Sequence, residues 1–258
     1  MKFRPCIDIH NGKVKQIVGG SIKDTGNKAV ENFVSEKDGE YFASLYKKDC
    51  LTGGHIIQLN AAGSEFYNAT KENAIKALNA YKKGMQIGGG INAENAAEYI
   101  KQGASHVIVT SYVFKDGKVN YDNLKKIENE VGKEHLVLDL SCRKKDNNYM
   151  IVTDRWQKYT EVEVTEDTLS LLAEYCDEFL IHAVDVEGKV SGIEEELVKQ
   201  LGKWNGIPVT YAGGISSEDD IKKLEEYGKE KIDFTIGSAL NLFGGKMSYE
   251  EIVKKYGR

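Results

Sequence analysis

Two segments, Cys6-Ile-Asp-Ile9 and Val137-Leu-Asp-Leu140, carry the same pattern, an apolar strand with an aspartate near its end. A second pair, Ile87-Gly-Gly-Gly-Ile-Asn92 and Tyr211-Ala-Gly-Gly-Ile-Ser216, follows the first pair at a similar separation. Each half of the chain therefore has an acid near its start and a glycine-rich turn near its end. This duplication predicts one site with two acids in the middle and an anion pocket at either edge.

Apolar, β-branched segments alternate with longer amphipathic segments along almost the whole chain. Strands that alternate with helices favour a parallel sheet, and the sequence has no linker or composition break that would separate two doubly wound domains. We therefore predict an α/β fold, a single (β/α)8 TIM barrel over residues 1–258 built from two duplicated half-barrels, approximately 1–131 and 132–258. The predicted strands are 3–9, 54–59, 84–88, 106–110, 135–140, 179–184, 207–211 and 232–236.

Helices are predicted between these strands, with Thr70, Asn92 and Ser217 as candidate N-caps. Residues 12–34 and 143–164 are too long for simple turns, and both follow an aspartate strand. Each contains an alternating stretch, so we expect each to form a hairpin-like flap over the barrel mouth. The predicted helices lie near 40–49, 69–79, 93–102, 121–131, 166–176, 193–202, 217–227 and 238–242, with a last helix from about 248.

The composition excludes several functional classes. The chain is 41% hydrophobic and 29% charged, as expected for a globular protein, and its net charge of −5 argues against a nucleic-acid partner. It has neither a run of about 18 apolar residues nor a secretory signal, so we expect no membrane association and a cytoplasmic location. We expect a monomer without a cofactor, and no metal site, because the cysteines are scattered at Cys6, Cys50, Cys142 and Cys176.

Asp8 and Asp139 fall at the carboxyl ends of the first and fifth predicted strands, which lie opposite one another in an eight-stranded barrel. Two carboxylates can divide the labour of acid–base catalysis, one ionised as the base and the other protonated as the acid. An aspartate in this position can also simply cap the loop after its strand. The recurrence of both aspartates in matching apolar contexts favours the catalytic interpretation.

The glycine-rich turns predict phosphate binding. Glycines at a strand end let the backbone approach a ligand, and a helix that starts there exposes unpaired N–H groups. In this fold phosphate commonly lies between the loops of strands 7 and 8, and the duplication predicts a second pocket at strands 3 and 4. The predicted phosphate-binding residues are Gly89, Gly90, Thr110, Ser111, Gly188, Gly213, Gly214, Gly237 and Ser238.

Other candidates each have a functional and a purely structural interpretation. Asp185 and Glu187, in the loop after the sixth predicted strand, could orient substrate hydroxyls or could simply solvate the loop. His182 could donate to a substrate or be a buried histidine with an internal partner. Trp156, on the second flap, could stack on a flat heterocycle or plug the flap. His55 lies at the start of a predicted strand, on the face opposite the site, and is assigned no role.

With these segments the chain resembles the phosphoribosylformimino-aminoimidazole carboxamide ribotide isomerases of histidine biosynthesis, especially their eukaryotic-type branch. The resemblance covers nearly the whole chain. The matching segments are Cys6-Ile-Asp-Ile-His-Asn-Gly-Lys-Val-Lys-Gln-Ile-Val-Gly-Gly20, Gln86-Ile-Gly-Gly-Gly-Ile91, Val107-Ile-Val-Thr-Ser111, Leu138-Asp-Leu-Ser-Cys-Arg143, Phe179-Leu-Ile-His-Ala183, Asp185-Val-Glu-Gly188 and Tyr211-Ala-Gly-Gly214.

The resemblance implies an Amadori rearrangement of an aminoaldose to an aminoketose, on a bisphosphorylated ribonucleotide with a phosphoribosyl group at each end. It further implies that Asp139 protonates the ribose ring oxygen, that Asp8 removes the proton from C2′, and that Trp156 covers the aminoimidazole. Bacterial members usually carry a threonine and an aspartate where this chain has His182 and Glu187, and Asn60 replaces a common acidic residue. These departures fit the eukaryotic-type branch but leave the contribution of the sixth strand open.

The sequence motifs leave three alternatives to the isomerase. The cyclase subunit of imidazole glycerol phosphate synthase shares both aspartates and both phosphate sites, but the flap with Trp156 resembles the isomerase. A dual-substrate isomerase that also serves tryptophan biosynthesis stays open. A phosphate-binding barrel without catalysis would not need an acid and a base on opposite sides of its mouth.

Overall fold

The computed structural model of the protein describes residues 1–17, 31–189 and 191–257. In these residues the strands are β1 (Cys6–His10), β2 (Lys13–Ile17), β3 (Glu31–Val34), β4 (Gly54–Gln58), β5 (Met85–Gly88), β6 (Val107–Val109), β7 (Phe114–Lys115), β8 (Lys118–Val119), β9 (Leu136–Asp139), β10 (Cys142–Lys145), β11 (Asn148–Thr153), β12 (Lys158–Glu163), β13 (Glu178–His182), β14 (Val209–Ala212) and β15 (Ile232–Phe234). The α-helices are α1 (Gly39–Lys48), α2 (Tyr67–Ala80), α3 (Ala96–Lys101), α4 (Tyr121–Val131), α5 (Glu166–Leu172), α6 (Glu195–Leu201), α7 (Glu218–Tyr227) and α8 (Tyr249–Tyr256).

The parallel strands form a closed barrel. Their order around it is β1, β4, β5, β6, β9, β13, β14 and β15, so the strands are adjacent in chain order. The last strand meets the start of the chain, where Phe3 pairs in parallel with Phe234 and the Arg4 N–H donates to the Phe234 carbonyl at 2.8 Å. The predicted α/β barrel is confirmed.

The helices pack outside this barrel, and their caps show why they begin where they do. The Ser217 hydroxyl accepts the Asp220 N–H at the start of α7, which confirms the predicted N-cap, and the helix buries Ile221 and Leu224. None of the helices in the described ranges is long and apolar enough to cross a membrane.

Three local predictions were wrong. Thr70 lies inside α2, fully buried, and its hydroxyl donates to Asn60 Oδ1 at 2.8 Å instead of capping the helix. Asn92 caps only a turn, because its side chain accepts the Glu94 N–H while α3 starts at Ala96. The predicted helix 238–242 is a folded-back loop with a short 3-10 turn at Asn241–Phe243.

Both predicted flaps are present in the described residues. In the first flap, β2 pairs antiparallel with β1 and β3 pairs antiparallel with β2, while residues 18–30 of the predicted segment lie outside the described residues. The second flap is a three-stranded antiparallel sheet of β10, β11 and β12. Each flap therefore grows from the carboxyl end of an aspartate strand, β1 or β9, and stands beside the barrel mouth.

Candidate active site

A cavity of about 930 Å³ opens at the carboxyl ends of the barrel strands. It is lined by residues of all eight barrel strands or the loops that follow them, and by both flaps. Fourteen of the sequence-predicted site residues lie in its wall: Asp8, Gly89, Gly90, Thr110, Ser111, Asp139, Trp156, His182, Glu187, Gly188, Gly213, Gly214, Gly237 and Ser238.

Asp8 and Asp139 face this cavity from opposite sides of the barrel. Their strands, β1 and β9, are separated by three barrel strands in either direction. Burial and, to a smaller extent, the negative charge of Glu187 raise the pKa of Asp8 to about 7, against the opposing effect of His182. Asp8 therefore changes its charge near neutral pH, as a general base that works at that pH should.

Asp139 has the opposite electrostatic environment. Burial alone would raise its pKa, but the His182 imidazole and hydrogen bonds from Ser141 and Thr110 outweigh burial and hold the pKa below its ordinary value. His182 Nδ1 lies 3.3 Å from Asp139 Oδ1, and the Ser141 hydroxyl donates to the same oxygen at 2.8 Å. Asp139 is therefore a carboxylate at neutral pH.

His182 is the counter-ion of Asp139. Burial lowers the pKa of the imidazole, but attraction to Asp139, Glu187 and Asp8 outweighs burial and raises the pKa to about 9. The side chain is only 12% exposed and lines the cavity. The sequence allowed two interpretations of His182, a donor to a substrate or a buried histidine with an internal partner. In the structure His182 has an internal partner, and this partner is Asp139, the predicted acid.

The tip of the second flap is connected to Asp139 through one serine. Trp156 Nε1–H donates to Ser141 Oγ at 2.9 Å, and the Ser141 hydroxyl donates to Asp139. The Trp156 ring lies 5.9 Å from the His182 ring. Asp154, Arg155 and Trp156 all have left-handed backbone angles, with φ of 51°, 56° and 68°. Three consecutive non-glycine residues in this region make the flap tip locally strained.

The two glycine turns have the same role in the barrel wall. A Cβ on Gly89 would lie 2.0 Å from the Gln58 carbonyl oxygen, and one on Gly213 would lie 2.8 Å from the Ala183 carbonyl oxygen. Only glycine therefore lets each turn approach the end of the preceding strand so closely.

At Thr110–Ser111 and Gly237–Ser238, where we predicted helix starts, the chain forms a turn and a loop instead. Thr110 and Ser111 enter a turn in which the Thr110 carbonyl accepts the Val113 N–H, and Gly237 and Ser238 enter the folded-back loop. Asp220, in the first turn of α7, accepts the Ser216 N–H at 2.9 Å. This N–H, which follows the Gly213–Gly214 turn, therefore already has a hydrogen-bond partner.

Asp185 is the one predicted site residue that does not line the cavity. Its carboxylate pairs with Arg143 Nε at 2.8 Å and accepts the Lys144 N–H at 2.9 Å. Arg143 and Lys144 belong to β10, so Asp185 fixes the base of the second flap to the loop after β13.

Sequence reasoning did not assign several residues that line the cavity, among them His55, Ser141 and Gln16. His55 was placed on the opposite face, but it lines the cavity, and burial together with nearby His182 lowers its pKa to about 3. Ser141 follows Asp139 by two positions, and that spacing could have revealed it, because alternate residues of an extended segment face the same side. Gln16 of the first flap also lines the cavity. Among the described residues, no cluster of three or more His, Cys, Asp or Glu side chains is arranged to hold a metal.

Comparisons with known proteins give one consistent result. Residues 2–248 match the family model described as histidine biosynthesis protein. A chloroplastic 1-(5-phosphoribosyl)-5-((5-phosphoribosylamino)methylideneamino) imidazole-4-carboxamide isomerase of Medicago truncatula is 52% identical over 98% of this chain and 81% of its own. Isomerases of the same description from Yarrowia lipolytica (46% identical, 98% of this chain and 97% of the relative) and Saccharomyces cerevisiae (42%, 95% and 94%) are also similar.

Proposed function

The chain belongs to the histidine biosynthesis protein family and, within it, to the phosphoribosyl imidazole-4-carboxamide isomerases, and from this premise we propose how its residues perform the reaction. The substrate is a bisphosphorylated ribonucleotide, and the reaction is an Amadori rearrangement of its aminoaldose to the aminoketose. Asp139 delivers a proton to the ring oxygen of the ribose, and Asp8 removes the hydrogen from C2′. The placement of Asp8 and Asp139 on opposite walls of one cavity carries this proposal.

The proposed steps conserve atoms and electrons. Protonation of the ring oxygen breaks its bond to C1′, and the nitrogen lone pair forms the C1′–N double bond of a Schiff base. Asp8 then takes the C2′ proton, which gives an enolamine. The ketose forms when C1′ gains the proton held by Asp8 and the C2′ hydroxyl gives up its own. No hydride carrier is required, because the hydrogen moves as a proton at every step.

The two glycine turns would hold the ends of the substrate. Gly89 and Gly90 line one part of the cavity wall, while Gly213 and Gly214 line another. Clamping both phosphates fixes the reacting ribose between the two acids, and binding energy from remote groups can lower a barrier in this way. Glu187 and Trp156 complete the proposed substrate contacts from the loop after β13 and from the second flap.

The decisive experiment is to supply the aminoaldose to the purified protein and to follow the ultraviolet change on ketose formation, without added metal, nicotinamide or glutamine. We expect turnover by the wild type and a loss of about 10²–10⁴-fold in kcat for Asp8→Asn and for Asp139→Asn separately. Asp219→Asn is the matched control, because Asp219 is an exposed residue of α7 outside the cavity wall. If either active-site variant kept near-normal turnover while still binding a bisphosphate ligand, its proposed role would be rejected.

Three further expectations belong to this proposal. We propose that the isomerase acts as a monomer, which light scattering would test, and without a cofactor. We also propose a cytoplasmic location, although the Medicago truncatula relative is described as chloroplastic. Cell fractionation would decide between these two compartments.

A further inference from the structure

His182 and Asp139 meet because their strands are neighbours. β9 and β13 are parallel, and Leu180 is in register with Asp139, so His182 lies two residues further along on the same face. His182 Nδ1 and Asp139 Oδ1 are 3.3 Å apart inside the cavity wall, where the two side chains are 12% and 13% exposed. An ionised carboxylate only accepts hydrogen bonds, so the Nδ1 that faces it carries the hydrogen.

This contact changes the acid step of the proposed function. Asp139 Oδ1 accepts hydrogen bonds from both Ser141 and His182. A carboxylate in this state has no proton of its own to give to a sugar oxygen. The proton for ring opening must therefore reach Asp139 from a neighbour, and a serine hydroxyl is far too weak an acid to supply it.

We propose that His182 supplies the proton that Asp139 passes to the ring oxygen of the substrate, so that the His182–Asp139 pair is the acid of the reaction. The inference rests on the proposed isomerase function. The Nδ1 proton moves to Asp139, Asp139 protonates the ring oxygen as the C1′–O bond breaks, and His182 becomes neutral. The proton released from the C2′ hydroxyl during ketose formation then recharges the pair, so one turnover leaves it unchanged.

The charged groups around His182 are consistent with a stored proton. Asp139 on β9, Glu187 in the loop after β13 and Asp8 on β1 attract the positive charge of the imidazolium. His55 on β4, whose ring lies 5.9 Å away, is neutral at working pH because burial lowers its pKa. Burial opposes the charge on His182, but the three carboxylates outweigh it and raise the pKa to about 9.

The pH dependence of kcat/KM tests this role. Because Asp8 must be ionised and the pair must hold its proton, we expect a bell with an acidic limb near 7 and an alkaline limb near 9. In His182→Gln the acid is Asp139 alone, so the midpoint of the alkaline limb should move to lower pH by at least about one unit. The midpoint of the acidic limb should move to higher pH, because the pKa of Asp8 rises when a nearby cation is lost. A His182→Gln profile with both limbs unmoved and only its height reduced would overturn the inference.

A second His–Asp pair provides the matched control. His106 Nε2 lies 3.3 Å from Asp177 Oδ2, the same separation, but this pair is outside the cavity wall. His106→Gln should therefore keep both the rate and the bell of the wild type. Circular dichroism of His182→Gln will show whether that variant is folded.

A measurement without turnover keeps the inference testable if His182→Gln fails to fold. In ¹⁵N-histidine NMR of the wild type, His182 should titrate well above the ordinary value of about 6.5, and in Asp139→Asn it should titrate at least about one unit lower. Titration of wild-type His182 near 6.5 would overturn the inference while leaving the isomerase function intact. Absence of turnover by the wild type would instead reject the proposed function, on which the inference rests.

Discussion

Asp8 and Asp139 occupy equivalent places in two similar segments, yet their neighbours give them different protonation states. Asp8 lies near the negative charge of Glu187, and burial raises its pKa to about 7. Asp139 accepts hydrogen bonds from Ser141 and contacts His182, so its pKa is lowered despite burial. Pairs of carboxyl groups whose environments separate their pKa values are typical of acid–base enzymes. The residue that resembles the family's acid is thus the one that the structure holds ionised.

The raised pKa of Asp8 makes the stability of the protein depend on pH. A group whose folded pKa lies above its unfolded value of 3.8 loses its stabilising contribution as the pH rises through about 7. Asn cannot ionise, so at pH 8.5 we expect Asp8→Asn to raise the free energy of unfolding by about 1–3 kcal/mol. Below pH 4 the difference should vanish, because Asp8 is then protonated in both states.

Urea unfolding of Asp8→Asn and wild type at pH 8.5 and below pH 4 measures this difference in the free energy of unfolding. The control is Asp146→Asn, an exposed aspartate of the second flap, which should stay within about 0.5 kcal/mol of the wild type at either pH. Equal stability of Asp8→Asn and wild type at pH 8.5 would show that burial of the Asp8 charge has little cost.

At the scale of elements, contacts at its base and at its tip fix the second flap to the barrel. Asp185 pairs with Arg143 at its base, and Ser141 joins Trp156 at its tip to Asp139. The tip is also the strained part, with three successive left-handed residues. The tryptophan hydrogen bond therefore holds a conformation that the backbone alone would not favour.

Trp156→Phe removes the indole N–H but keeps an aromatic ring. One lost hydrogen bond of about 0.5–1.5 kcal/mol corresponds to an increase in KM of about 2–10-fold, with a smaller change in kcat. Steady-state kinetics with the aminoaldose measures both. Trp204→Phe is the control, since its Nε1–H donates to the Ile207 carbonyl outside the cavity wall and its loss should leave KM unchanged. Equal KM values for wild type and Trp156→Phe would contradict a role for this bond in substrate binding.

At the scale of the whole molecule, the cavity and the contacts of Asp233 that join the last strand to the first lie at opposite ends of the barrel. The cavity occupies the carboxyl ends of the strands, while near their amino ends Asp233 of β15 joins the last strand to the first. Its carboxylate accepts from Arg4 Nε and from the Lys2 N–H, both at 2.7 Å. We also propose that residues 1–131 and 132–258 are duplicated half-barrels, since each supplies one aspartate strand, one glycine turn and one flap.

Asp233→Ala should lower the free energy of unfolding by about 1–3 kcal/mol, because it leaves the Arg4 guanidinium partly buried without its partner. The kcat should not change, because Asp233 lies outside the cavity wall. Urea unfolding measures the effect, with Asp219→Ala as control. Asp219 pairs with Lys222 at 80% side-chain exposure, where an ion pair contributes little. An effect no larger than that of Asp219→Ala would show that this pair does not stabilise the closed barrel.

The sequence by itself determined the barrel, both aspartates at strand ends and the two glycine turns, because apolar periodicity and strand-end position are local patterns repeated in each half. Only the tertiary structure decided that His182 and Ser141 keep the Asp139 carboxylate ionised, and that Ser141 connects this carboxylate to Trp156. It also decided that Asp185 holds the second flap and that His55 lines the cavity. Thr70 became a buried partner of Asn60 rather than a cap for the same reason. Protonation and hydrogen bonding depend on distances and burial among residues far apart in the chain, and these distances exist only once the barrel has closed.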